Sequence, residues 1–205
     1  MTTSILALVF LLAAAPPAAK ELAPTIYQIP VPPKPDFTAL DWLIGNWAGT
    51  TLERQNPIEV RLSVSYDLDR QVMLFRGETS VPAGKTSPAI NESWLGILAP
   101  AVGGTDFRLR TFSTTGFITL YRVSVEGPEV RFNPEGGEQP PPGWLFRTII
   151  KRTAPQEFLE TVQAAPPSKS FFDYYTARLS RLPTPEKPKS PPPAPEKPKT
   201  PPHAP

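Results

Sequence analysis

Proline is the residue that most limits how this chain can fold. Thirty of its 205 residues are proline, and twelve of these are spread between residues 57 and 167. Proline has no backbone N–H to donate to a sheet ladder, and it disrupts the interior of a helix. The chain between residues 37 and 182 is therefore expected to form short elements, with the prolines in the gaps between them.

The segments between these prolines alternate between apolar and polar residues. In the segment 58–67 (IEVRLSVSYD), aliphatic side chains and Tyr66 occupy one face, and Glu, Arg and Ser side chains occupy the other. This period of two predicts a strand with one face in contact with water. Similar segments predict about ten strands, over residues 46–54, 58–67, 72–81, 90–99, 106–113, 117–126, 129–133, 143–153, 157–164 and 171–181.

The connections between the predicted strands are short, except for residues 134–142. Most contain Gly, Pro, Asp or Asn, as β-hairpin turns do. No helical pattern of ten residues lies between strands, which argues against a parallel βαβ fold. We therefore expect an all-β fold, an antiparallel up-and-down barrel of about ten strands whose closure removes the sheet edges. A two-sheet sandwich is the alternative.

The stretch 38–54 (TALDWLIGNWAGTTLER) joins a helical pattern to a strand pattern. Apolar residues recur in its first half at steps of three and four, and Thr38 and Asp41 have the spacing of a capping box. Gly45 is typical of the residue that follows a helix. The pattern predicts a short helix over 37–44 that covers one end of the barrel.

The residues LDWLIGNW (40–47) resemble the opening of the calycin barrels, the superfamily of the lipocalins and fatty-acid-binding proteins. Residues 37–182 also resemble a group of exported bacterial lipocalin-like domains of unassigned function. Those domains open with Trp-Leu-x-Gly-x-Trp and carry a late Asn-Pro piece, which is present here as VRFNP (130–134). The resemblance implies a calycin-like barrel.

In lipocalins the second tryptophan of this opening packs at the closed end against an arginine of the last strand, a cation–π contact. The resemblance therefore implies that Trp42, Gly45 and Trp47 are structural residues that close the barrel. It also implies an arginine partner near the end of the chain's folded part. Arg178 is the predicted partner, and Arg181 is the alternative.

The chain divides into four predicted parts. An unbroken apolar run at 5–15, followed by small residues, predicts a signal peptide over 1–19 and export to the periplasm or outside the cell. Such a run is too short to cross a bilayer, so no transmembrane span is expected after processing; an uncleaved N-terminal anchor is the alternative. A proline-rich linker (20–36) would precede the barrel (37–182), and a tail (183–205) would follow it.

The tail contains a tandem repeat. Residues 185–194 (PEKPKSPPPA) and 195–204 (PEKPKTPPHA) match at eight of ten positions. This composition favours an extended polyproline II chain of about 70 Å rather than a packed core. It predicts either a spacer that contacts the cell envelope through its lysines or a disordered tail that aids solubility.

The net charge of +2 lies in the tail. Residues 20–182 contain seventeen basic and seventeen acidic residues. A neutral body provides no electrostatic attraction for nucleic acid or for an anionic membrane, so neither is an expected partner.

Residue types exclude several chemistries. The chain has no cysteine, and its single histidine, His203, lies in the tail. The body therefore cannot build a Ser–His–Asp or Cys–His arrangement, or a zinc site with nitrogen or sulfur ligands. Nitrobindin, a haem-binding barrel with a similar opening, uses a proximal histidine that no body position here provides. We expect no cofactor and no metal.

The remaining reactive groups are carboxylates in strands, namely Glu78, Glu92, Glu157, Glu160 and Asp173. A facing pair would permit acid–base catalysis, but the spacing selects no pair. We predict that the protein is not an enzyme and keep a carboxylate-dependent enzyme as an alternative.

The sequence favours a barrel whose lumen binds a small apolar or amphipathic molecule. The candidate lumen residues combine aromatic rings with a few polar groups that would orient the ligand. They are Glu92, Trp94, Arg110, Tyr121, Arg147 and Tyr174. Arginine would hold a carboxylate and tyrosine would donate a hydrogen bond. The alternative is an envelope interaction module with a filled barrel and a partner-binding tail.

Overall fold

The computed structural model describes residues 33–52, 56–85, 87–101 and 106–183. The predicted signal peptide, most of the predicted linker and the repeats of the tail lie outside the described residues. The account below concerns the described part of the chain.

Ten strands form one sheet. They are β1 (Gly45–Thr51), β2 (Glu59–Asp67), β3 (Val72–Val81), β4 (Ile90–Pro100), β5 (Phe107–Ser113), β6 (Ile118–Glu126), β7 (Glu129–Gln139), β8 (Leu145–Ala154), β9 (Glu157–Ala165) and β10 (Phe172–Arg181). Each strand pairs antiparallel with its neighbours in the chain, and β1 also pairs with β10, so the sheet closes. The predicted ten-stranded up-and-down barrel is confirmed, and the sandwich is not formed.

Alternation along each strand divides the inside of the barrel from its outside. In β2, Val60, Leu62 and Val64 are buried, while Arg61 between the first two is exposed. Burying an aliphatic or aromatic side chain contributes roughly 1.5–3 kcal/mol. The repeated inward apolar positions therefore provide the main favourable free energy of this cysteine-free fold.

The predicted helix is present but is shorter and tighter than expected. It is a 3₁₀ helix over Thr38–Leu43. Phe37, Leu40 and Leu43 are buried, and residues three apart lie on one face of a 3₁₀ helix. This single apolar row explains why the tighter helix forms, since its three side chains cover one barrel end together.

The capping differs as well, because the predicted Thr38–Asp41 capping box does not form. The Thr38 N–H donates to the Asp36 carboxylate instead, at 2.9 Å. The Asp41 carboxylate accepts a hydrogen bond from the Tyr66 hydroxyl at the end of β2. Asp41 thus links the helix to β2 of the barrel and does not cap the first turn of the helix.

The long connection predicted at 134–142 is largely strand. β7 continues through Glu135 and Glu138 to Gln139 and pairs with β6 through two register shifts. Ion pairs of the Glu135 and Glu138 carboxylates hold this extra part of β7 against the sheet. Glu135 pairs with Arg108 and Arg122 at 2.6 and 2.7 Å, and Glu138 pairs with Arg110 at 2.7 Å.

Candidate functional site: the barrel lumen

The end of the barrel beneath the 3₁₀ helix is closed by Trp47 and Arg181. The Arg181 guanidinium lies 4.3 Å from the centre of the Trp47 ring. It also donates hydrogen bonds to the carbonyls of Trp42, at 2.8 Å, and of Ile44. The Trp47 indole N–H donates to the Leu43 carbonyl at 2.7 Å. These contacts join the helix, β1 and β10 at one end of the barrel.

The backbone conformation and the close packing at position 45 both require glycine. Its φ is +133°, a value that other residues rarely adopt, and a Cβ would collide with the Arg181 guanidinium. Gly45 therefore allows the chain to turn from the helix into β1 directly beneath the arginine.

The predicted partner Arg178 is not the closing arginine. It lies half-exposed on the outside of the barrel, 3.7 Å from the Glu157 carboxylate. Strand alternation explains the difference. Arg181 shares the inward phase of the buried Ala177 and Leu179, whereas Arg178 lies between those two residues and points outward.

The other half of the barrel contains a cavity of about 380 Å³. Side chains of β2 through β10 line it, and most of them are aliphatic or aromatic. The aromatic lining residues are Phe75, Trp94, Phe117, Tyr121, Phe132, Phe146, Tyr174 and Tyr175. We call this cavity the lumen.

The lumen reaches the end of the barrel opposite the 3₁₀ helix, where the even-numbered strands begin. Large apolar side chains remain exposed around this mouth. They are Ile90, Phe117, Trp144, Phe172 and Tyr174. One end of the barrel is thus covered by buried side chains, and the other presents an apolar rim.

Four of the six candidate lumen residues line the lumen, namely Glu92, Trp94, Tyr121 and Tyr174. The Trp94 indole lies directly over Gly77 of β3, where a Cβ would overlap the ring. Glu92 accepts a hydrogen bond from the Thr115 hydroxyl at 3.2 Å. Burial raises the pKa of Tyr121, against an opposing effect of hydrogen bonds from Thr119 and Thr111.

The other two candidates, Arg110 and Arg147, lie on the outside of the barrel. Arg110 pairs with Glu138 of β7. The Nε of Arg147 donates to the Gln163 amide oxygen at 2.8 Å, and its guanidinium lies 4.4 Å from the centre of the Phe171 ring. Each arginine occupies the phase opposite to the lumen-lining residues of its strand, so neither can hold a ligand carboxylate inside the barrel.

The lumen contains a second carboxyl group, Glu160 of β9, which was one of the five strand carboxylates named from the sequence but not one of the candidate lumen residues. Only 9% of Glu160 is exposed, and the Tyr175 hydroxyl lies 3.4 Å from its carboxylate. Burial raises the pKa of Glu160 to about 7, with the Tyr175 hydrogen bond acting in the opposite direction. Burial and the charge of Glu160 in turn hold the pKa of Tyr175 well above its usual value.

A sequence signal for Glu160 exists. It shares its strand phase with Phe158, Val162 and Ala164, so it is a charged residue within an apolar row. That row faces the interior, and Phe158 and Ala164 are buried.

The charges of the lumen all have one sign among the described residues. Its lining includes two carboxyl groups, Glu92 and Glu160, and no lysine, arginine or histidine. The two carboxyl groups lie on β4 and β9, which are five steps apart in the ring of ten strands whichever way it is followed. They therefore stand on opposite walls of the barrel.

Nothing in the described part of the chain brings three carboxylate or histidine side chains together as a metal site would. No described helix is long and apolar enough to span a bilayer.

The fold defines the class of protein as a closed, ten-stranded, up-and-down antiparallel β-barrel, an architecture compatible with the calycin fold. No protein-family model matches the sequence. No curated protein matches it either.

Proposed function

We propose that this protein binds a small apolar or amphipathic molecule in the lumen and does not transform it. The observation that carries the proposal is the cavity of about 380 Å³, which falls within the range of small-molecule sites. A barrel filled by its own side chains would leave no such space, so the cavity favours ligand binding over the alternative of a filled interaction module.

The two ends of the barrel support the same proposal. Trp47 and Arg181 close one end, while the mouth at the other has an apolar rim that includes Phe117 and Trp144. A ligand would enter through the mouth and stop above the buried side chains of the closed end. Export remains part of the proposal, and it rests on the apolar run at 5–15.

A variant that fills the lumen tests this proposal. Thr148 lines the cavity on β8, and Thr148→Phe adds an aromatic ring to it. Lys151 is exposed on the outer face of the same strand, so Lys151→Phe is the matched control. The neutral fluorescent probe N-phenyl-1-naphthylamine should bind the wild type and Lys151→Phe equally and bind Thr148→Phe at least tenfold more weakly.

Circular dichroism melting of all three proteins would check that they fold. Equal probe binding by the two folded variants would place the probe outside the lumen and contradict the proposal.

The second candidate function is a carboxylate-dependent enzyme. It is favoured by the two carboxyl groups on opposite walls of one cavity, and by a Glu160 pKa of about 7, which suits a general acid or base. A natural ligand returned to the protein should keep its mass if the protein only binds it. If the wild type converts the ligand to a product and Glu160→Gln does not, the result would favour the enzyme.

A further inference from the structure

We infer that the lumen selects molecules in which a cationic amine is attached to an apolar body. This inference rests on the proposed function, because it specifies the chemistry of the ligand in that cavity. It replaces the expectation that an arginine would hold a carboxylate, since Arg110 and Arg147 lie outside the barrel.

The first support is the distribution of charge. Glu92 and Glu160 line the described lumen from opposite walls without any cationic side chain among them. Arg108 and Arg110 instead form ion pairs on the outer surface with Glu135 and Glu138. An anionic ligand would therefore enter a cavity of its own sign, whereas an ammonium group would find opposite charge on both sides.

The second support is the state of Glu160. It is nine-tenths buried, and among the described residues the one hydrogen bond to its side chain is a long one from Tyr175, at 3.4 Å. A buried carboxylate without a cationic partner is costly, and a ligand ammonium would supply the opposite charge. Burial raises the pKa of Tyr175, and the charges of Glu160 and Glu92 raise it further, so the Tyr175 hydroxyl senses both carboxyl groups.

The third support is the wall of the cavity. Trp94, Tyr121 and Tyr175 present aromatic rings around the carboxyl groups. Aromatic faces attract cations, and the attraction is stronger where the cation is removed from water. Carboxylates combined with aromatic rings bind an ammonium group, while the aliphatic and phenylalanine lining accommodates an apolar body.

Three probes with the same chain and different head groups test the inference: octylamine, octanol and octanoate. Titration calorimetry at pH 7.5 should show octylamine binding at least tenfold more tightly than octanol, with octanoate weakest. Glu160→Gln should lose at least tenfold for octylamine and change little for octanol. Glu138→Gln removes a carboxylate from the outer surface and should leave all three affinities unchanged.

The amine should also drive ionisation of Glu160. At pH 7 its binding should release protons, measured as a difference in observed heat between phosphate and Tris buffers. This readout uses the wild type alone, so the test holds even if Glu160→Gln fails to fold.

The outcomes separate the two proposals. Octanol or octanoate binding as tightly as octylamine would overturn the amine inference and leave lumen binding intact. Failure of all three probes and of N-phenyl-1-naphthylamine to bind the wild type would contradict the proposed function itself.

Discussion

At the scale of single residues, Glu160 is the group whose position has the largest consequences. It lies on the inward phase of β9, where the neighbouring positions of that phase are apolar. The fold tolerates it because its raised pKa keeps the carboxyl group protonated below about pH 7. The same property makes it available to a ligand that can compensate its charge.

Glu160 predicts a dependence of stability on pH. Its pKa is about 7 in the fold and about 4.5 in the unfolded chain. The folded state therefore binds more protons between these values, and its stability should fall by about 3 kcal/mol as the pH rises from 4.5 to 7. Urea unfolding of the wild type should show this fall, and Glu160→Gln should show a flatter profile.

The other titratable groups of the lumen do not obscure this comparison. Glu92, Tyr121, Tyr174 and Tyr175 are present in both proteins. The pKa values of Tyr121 and Tyr175 are raised above the usual tyrosine value, chiefly by burial, so these two groups stay protonated between pH 4.5 and 7. Parallel pH profiles for the wild type and Glu160→Gln would show that Glu160 is not buried as described.

At the scale of elements, the 3₁₀ helix, β1 and β10 form one closing unit. Arg181 of β10 contacts the Trp47 ring of β1, the carbonyl of Trp42 in the helix and the carbonyl of Ile44 directly after it. The pairing of β1 with β10, from Trp47–Arg181 to Thr51–Ala177, completes the barrel beside it. The stability of the helix is thus coupled to the closure of the sheet.

Matched substitutions of two arginines on β10 test this coupling. Arg181→Met keeps an unbranched side chain but removes the charged hydrogen bonds and the cation–π contact, so it should destabilise the protein by about 2–4 kcal/mol. Arg178→Met removes only a half-exposed pair with Glu157 and should change stability by less than about 1 kcal/mol. Urea denaturation measures both, and equal losses would contradict the assigned closing role of Arg181.

At the scale of the whole molecule, the sequence predicted the barrel because alternation and turn residues are local signals. The segment 58–67 alternates as β2 does, and the ten segments follow the ten strands with modest shifts at their ends. The extension of β7 could not be predicted in this way, since Glu135 and Glu138 form ion pairs with Arg108 and Arg110 of β5, two strands away in the sheet.

The candidate site was predicted only in part, and the reason is the phase of the strands. Glu92, Trp94, Tyr121 and Tyr174 line the lumen, but Arg110 and Arg147 lie outside it. Both faces of these strands carry polar and apolar residues, so composition alone did not decide which face points inward. The pairing of all ten strands decides it, and that is a property of the closed barrel.

The measurement that tests the central claim most directly is native mass spectrometry of the protein purified from its own source without detergent, before and after solvent extraction. Binding in the lumen predicts a reproducible additional mass that extraction removes and that belongs to a small apolar or amphipathic molecule. The same mass for untreated and extracted protein, together with no uptake of N-phenyl-1-naphthylamine, would contradict the claim.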